Sequence, residues 1–307
     1  MFDVYFLEFD LDIAKADHLF ETASDKLDIT AMELYTLESA GMLSGSEDPD
    51  EMFAEAAGKF VDAIKAFFQK IKDAIKKLYL SIKDAIENAI RKHNINKKMK
   101  EIREMVNSSK EIQKALGTSN SEITDTAGLY KAYSEYMKEM LKQTRQVYSK
   151  TYDSVDEYNV AIQKANDILS NKADSLNMTV SEKAMVSMKF GEAFKFTEKE
   201  SNNIAKVTEM YIRQWITSMD EVEKVALAQD DASKVSDLKG MVSKQNSVMS
   251  QGLNKIKNGW SSNYKAVLAA VGAAVAATGT AVGVATVRAR SKAKEFDQRL
   301  KDFEQSR

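Results

Sequence analysis

The sequence predicts an all-α protein, an elongated helical bundle or coiled coil of long helices with one Ala/Gly-rich apolar helix near its C-terminus. Only one proline interrupts the 307 residues, and twelve glycines leave little material for turns. Apolar residues recur every three or four positions along nearly every segment, which is the period of an amphipathic helix. We therefore expect more than roughly 65% helix and essentially no sheet.

The N-terminal segment is strongly acidic. The first 58 residues hold fifteen Asp or Glu against Lys15 and Lys26, a net charge of −13, so the rest of the chain carries +11 to reach the total of −2. Apolar residues between Asp10 and about Ala40 indicate an amphipathic helix, and we assign residues 1–47 to an acidic arm. Such asymmetry predicts docking on a basic partner or on the chain's own basic face; the alternative is a solvated acidic helix. No secretory signal peptide is expected, because the first residues are acidic where a signal would be basic.

Residues 48–116 form a basic amphipathic region. Asp48, Pro49 and Glu51 match a helix start, and the motif Asp-Ala-Ile recurs at an 11-residue period from Asp62. The repeat gives the helix a Phe/Ile stripe on one side and a lysine-rich face on the other, as in helices that lie on membranes. The alternative is a bundle helix with a lysine-rich solvent face. The candidate membrane-surface or partner-binding residues are Lys65, Phe67, Phe68, Lys72, Lys76, Lys77 and Lys83. A polar break at 93–96 precedes a short basic helix over 97–116.

Residues 117–264 are predicted to form a bundle of long helices. One helix is expected from Ile123 to Leu176, and a second from a capping box at Thr179 and Glu182 to about Gln229. The third begins at Asp230 and Asp231 and meets no helix breaker before about Phe303.

An uncharged run of 22 residues extends from Ala266 to Val287, within a segment that we bound at 265–287. As a helix it is about 33 Å long, against roughly 30 Å for the hydrocarbon core of a bilayer. Small residues on one stripe predict close helix packing, aromatic residues precede the run, and a basic tail over 288–307 follows it. The candidate packing and interface residues are Gly272, Ala276, Gly279, Gly283, Trp260, Tyr264, Arg288 and Arg290. The alternative is an Ala-rich helix buried between protein helices.

Residue patterns for catalysis or metal binding are missing from the sequence. There is no cysteine, and His18 and His93 lie outside any zinc or di-iron motif. Phosphate-binding glycine loops and nucleophile elbows are also missing. We therefore expect no enzyme, no cofactor and no metal. Lys97, Lys98 and Lys100 keep nucleic acid as an alternative partner, although the net charge of −2 argues against a dedicated nucleic-acid-binding protein.

This layout of an acidic arm, long proline-poor helices and an Ala/Gly-rich apolar segment resembles the internal or ejection-type virion proteins of bacteriophages. The resemblance implies a non-enzymatic structural protein that forms homo-oligomers, contacts other virion or assembly proteins and a lipid membrane, and is located in a virion or at a membrane. The long bundle with one hydrophobic element also resembles helical pore-forming toxins. A third alternative is a soluble coiled-coil scaffold that never contacts lipid.

Overall fold

The computed structural model describes residues 49–92, 94–183, 185–229 and 231–278. It is 88% helical, so the all-α prediction is confirmed. The arm over 1–47, the run beyond Thr278 and the tail over 288–307 lie outside the described residues. The elements are α1 Pro49–Lys92, α2 Ile95–Ser108, α3 Lys110–Gly117, β1 Asn120–Thr124, α4 Thr126–Tyr148, α5 Val155–Lys183, β2 Met185–Lys189, α6 Phe190–Leu227 and α7 Ala232–Ala277.

Helix α1 begins at the predicted Pro49 and packs along α6. The apolar stripe of the 11-residue repeat faces the protein core, because Ile64, Ile71, Ile75 and Ile82 are each 1% exposed or less. A period of 11 residues is close to three helical turns, which keeps these side chains on one side of a 44-residue helix. The repeat therefore supplies the packing face of α1.

The basic helix predicted over 97–116 is divided into α2 and α3. Asn94 has a φ of 45°, a left-handed conformation that Asn tolerates well, and it separates α1 from α2. Ser109 has extended backbone geometry, and its hydroxyl accepts a hydrogen bond from the Ile112 amide at 3.3 Å. A serine cap thus ends one helix and starts the next without glycine or proline.

The prediction of a single helix from Ile123 to Leu176 is wrong. Ile123 lies in β1, which pairs antiparallel with β2, so the chain also contains a small two-stranded sheet. Asp125 caps α4 by accepting a hydrogen bond from the Gly128 amide at 2.9 Å. A second break over 149–154 ends with Ser154, whose hydroxyl accepts from the Glu157 amide at 3.2 Å. Polar caps interrupt a pattern that otherwise has helical period.

The helix start predicted at Thr179 and Glu182 is also wrong. Both residues lie inside α5, which continues to Lys183. The following helix, α6, starts at Phe190 directly after β2. Sheet pairing of residues 185–189 with β1 fixes this boundary, so a long-range contact overrides the local capping signal.

Helices α4, α6 and α7 enclose a core of large aromatic side chains. Tyr211 and Trp215 are fully buried; the Tyr211 hydroxyl donates to the Met249 carbonyl at 2.8 Å, and the Trp215 indole donates to Asn246 Oδ1 at 2.8 Å. Gly252 permits close approach of α7, since a Cβ there would lie 2.5 Å from atoms of two tyrosines. These contacts hold α7 against its neighbours with little rotational freedom.

Helix α7 begins at the predicted Asp231, which caps it by accepting from the Ser233 amide at 2.8 Å. Its 46 residues make it about 69 Å long. Although the sequence shows no helix breaker before about Phe303, the helix ends at Ala277, inside the uncharged run. There the Thr278 hydroxyl donates to the Ala274 carbonyl at 3.0 Å, which satisfies a terminal acceptor of the helix.

Candidate functional site

The C-terminal turns of α7 carry the first half of the uncharged run. Val267, Val271 and Ala274 face the core and are at most 6% exposed. Gly272 and Ala276 are exposed, and a Cβ on Gly272 would meet no atom within 4 Å. The predicted small-residue stripe is therefore on the surface where the structure describes it. Gly279, Gly283, Arg288 and Arg290 lie outside the described residues.

The aromatic pair that precedes the run is located in the protein interior. Trp260 is 0% and Tyr264 is 1% exposed, and burial raises the pKa of Tyr264 to about 12. Both side chains extend the apolar stripe of α7 that includes Leu253 and Ile256. In this conformation they pack within the core and do not reach a surface that could meet lipid.

None of the described helices, from α1 through the end of α7 at Ala277, combines the length needed to cross a bilayer with a sufficiently apolar composition. Of the uncharged run, the described residues include only the part up to Thr278.

On α1, the candidate membrane-surface residues divide between the core and the solvent. Phe67 and Phe68 are each 2% exposed and form an edge-to-face pair with ring centroids 5.1 Å apart. Lys65, Lys76 and Lys77 are exposed on the opposite side. The apolar part of the proposed lipid-binding face is thus occupied by protein in this conformation.

Two other candidate lysines on α1 form ion pairs. Lys72 contacts Glu223 at 2.7 Å and Asp220 at 3.0 Å on α6, whereas Lys83 lies 3.9 Å from Glu87 of its own helix. Burial would lower the pKa of Lys72, but the hydrogen bonds to Glu223 and Asp220 outweigh this effect and raise it above the usual value. Lys72 therefore joins α1 to α6 and is not a surface cation available to lipid.

A buried polar junction joins β1, α4, α6 and α7. The Asn263 side chain accepts from the Thr124 amide at 2.7 Å and donates to the Thr124 carbonyl at 2.9 Å. The side-chain amide of Asn263 also donates to one oxygen of the Glu200 carboxyl group, and the Thr126 hydroxyl donates to the other oxygen. Gly259 is required nearby, because a Cβ there would lie 2.6 Å from Thr124 Cγ2. The junction fixes α7 to the only sheet in the described chain.

Burial gives this junction an unusual protonation equilibrium. Glu200 is 8% exposed, and desolvation raises the pKa of its carboxyl group to about 7 despite the two hydrogen bonds, which favour the charged form. The nearby negative charge of Asp125 raises this pKa further. Glu200 does not stand out in the sequence, since one glutamate in a charged segment resembles its solvated neighbours.

An open cleft of about 390 Å³ lies at the start of α6. Phe190 and Phe194 form its apolar wall, and Lys195 and Arg103 lie at its rim, where Arg103 pairs with Glu198. Among the described residues, no group of His, Cys, Asp or Glu could hold a metal ion. The cleft has no arrangement of nucleophile and base, so it indicates no particular reaction.

Comparison with known proteins identifies no relative. No protein-family model matches the chain, and no curated protein or solved structure shows significant similarity to it.

Proposed function

We propose that the protein is a non-enzymatic, helical structural protein that self-associates and engages a membrane through residues 266–287. The observation that supports this proposal most is the surface at the end of α7. The helix is anchored by buried Val267 and Val271 and leaves Leu268, Gly272 and Ala276 exposed. The sequence remains uncharged from there to Val287.

The same surface supports the proposal of self-association. A glycine with no neighbouring atom offers its backbone to a second helix, and helices with small residues at four-residue spacing approach closely in lipid. The run is weakly apolar for a lone membrane anchor, because alanine and glycine gain little from transfer into hydrocarbon. Burial of several such helices against one another compensates for this weakness. A component of a virion that meets a host membrane, as the layout suggests, is the setting that we propose.

The test is flotation of the full chain with lipid vesicles, comparing the parent with Ala276→Lys. Ala276 is exposed, so the lysine leaves the folded core unchanged. A charge near the middle of the run disfavours insertion by about 2.5 to 3.5 kcal/mol, so binding should fall roughly 100-fold. The matched control is Val160→Lys on α5, where the parent residue is 68% exposed and lies outside the run.

The proposal is supported if the parent and Val160→Lys float with the vesicles and Ala276→Lys does not. If neither the parent nor the variants float with vesicles, the proposal is wrong and a soluble helical scaffold becomes the better explanation. Equal flotation of all three proteins shows that another part of the chain contacts the lipid.

A further inference from the structure

Strand β2 is the exposed edge of the small sheet. Of the described strands only β1 pairs with it, and four of its five side chains are exposed, among them Met185 at 50% and Val186 at 39%. The opposite edge of the sheet is covered by α7, because the amide and the carbonyl of Thr124 both bond to Asn263. An uncovered strand presents backbone groups with which another strand can pair. The sheet is therefore open on the side of β2.

The register of the sheet shows which backbone groups of β2 point outward. In an antiparallel sheet, opposed residues that exchange hydrogen bonds alternate with opposed residues whose groups point away from each other. Phe190, just past β2, is of the first kind, because its amide donates to the Ser119 carbonyl at 3.1 Å. Thr124, which opposes Met185, is of the second kind, because it bonds to Asn263 and not to β2. The outward groups of β2 are therefore the amides of Ser187 and Lys189 and the carbonyls of Met185 and Ser187.

This outward edge is complementary to itself. When two copies meet antiparallel about a two-fold axis at Ser187, the two Ser187 residues exchange hydrogen bonds, and each Lys189 amide donates to the Met185 carbonyl of the other copy. Every outward amide then has an acceptor. Lys189 is the only charged residue of β2, and the same pairing places it opposite an apolar methionine. Parallel pairing in register would instead bring lysine beside lysine, which is unfavourable.

We propose that β2 is a self-association surface, through which two copies of the chain join their sheets into one continuous antiparallel sheet. Val186 of each copy then lies opposite Met188 of the other, so apolar side chains that are exposed or half-buried in one copy are removed from water. Growth stops at two copies, because the outer edge of each β1 is covered by α7. This interface needs no lipid and is separate from the small-residue surface of α7.

The first test is sedimentation of the full chain in lipid-free buffer, comparing the parent with Ser187→Pro and Ser187→Ala. Proline has no amide hydrogen, and the Ser187 amide points away from β1, so pairing within each copy is kept. Ser187→Ala keeps the amide and is the matched control. We expect the parent and Ser187→Ala to sediment as dimers, and the dissociation constant of the Ser187→Pro dimer to be at least about tenfold higher. Thermal unfolding of Ser187→Pro should match that of the parent monomer.

The second test uses single cysteine substitutions, because the chain contains no cysteine. The two-fold pairing brings the Cα atoms of the two Ser187→Cys positions to about 5.5 Å from each other. The control is Glu122→Cys, an exposed position of β1 opposite Ser187; its two copies would be three strand spacings apart, about 14 Å. A short cross-linker that joins two thiols should couple Ser187→Cys at least about tenfold faster than Glu122→Cys.

Three results would overturn the proposal. They are a parent that sediments as a monomer, a Ser187→Pro variant that dimerises as tightly as the parent, and equal cross-linking of the two cysteine variants. A lipid-free monomer that still floats with vesicles would overturn this proposal alone, because membrane engagement through residues 266–287 does not depend on β2.

Discussion

Replacing Glu200 by glutamine tests whether the buried junction carries a neutral carboxyl group in the folded protein. The pKa of Glu200 is raised from 4.5 to about 7 by burial, so the folded state binds this proton more tightly than the unfolded state. Its contribution to stability is therefore complete below pH 4.5 and is lost as the pH rises through 7. Glutamine has the same shape, stays neutral at every pH and can both accept from Asn263 and donate to the Thr126 hydroxyl.

The size of the effect follows from the shift. Each pH unit between the two pKa values corresponds to about 1.4 kcal/mol. Between pH 5 and pH 8 the free energy of unfolding of the parent should therefore fall by about 2 to 3 kcal/mol relative to that of Glu200→Gln. For a domain of this size that difference amounts to roughly 5 to 10 °C in melting temperature.

The assay is thermal unfolding followed by circular dichroism at pH 5 and pH 8, with exposed Glu192→Gln of the same helix as control. The free energy of unfolding of this control should differ from that of the parent by less than about 0.5 kcal/mol at both pH values. If the melting temperatures of the parent and Glu200→Gln move in parallel over this pH range, the folded state does not favour the protonated carboxyl group and the reasoning is refuted.

Two further predictions concern glycines. Gly252→Ala should destabilise the protein by about 1 to 3 kcal/mol in chemical denaturation, because its Cβ would overlap two tyrosine side chains, whereas Gly240→Ala has open space and should stabilise α7 by up to about 1 kcal/mol. Equal effects of the two changes would contradict the packing described. The double change Gly279→Leu and Gly283→Leu makes the run more apolar but blocks close helix contact, so vesicle retention should rise while dye leakage falls. Leakage equal to that of the parent would refute association through small residues.

The start of α1 and the start of α7 were predictable because both depend on local chemistry. Asp48 before α1, Pro49 at its first position and Asp231 before α7 are strong helix-start signals that act within one turn. The buried face of α1 also followed from the spacing of its phenylalanines and isoleucines. Local periodicity determines which side of a helix is apolar, but not which surface covers that side. For this reason the sequence left open whether lipid or protein meets Phe67.

The sheet could not be predicted from local pattern. Residues 120–124 pair with residues 185–189, and each strand is only five residues long, with Ile123 as the single large apolar residue of β1. Thr179 appeared to start a helix because the capping signal is local, while the actual boundary depends on that distant pairing. Glu200 was missed for a related reason: its environment is built by Thr126 and Asn263, which are 74 and 63 residues away in sequence.

The short sheet holds together the two ends of the helical hairpin that α4 and α5 form. Thr124 and Met185 are register partners, so the chain leaves through α4 and returns through α5 to the point where it departed. The segment between these two residues therefore begins and ends at neighbouring positions of the sheet. Whole helical turns added in equal number to α4 and α5 would leave the register of the strands intact but would separate the tip at 149–154 from its partners, since Gln229 donates to the Tyr148 carbonyl and Tyr158 donates to Asp237. A change in the length of this helical hairpin therefore acts on the contacts of its tip and not on the junction at its base.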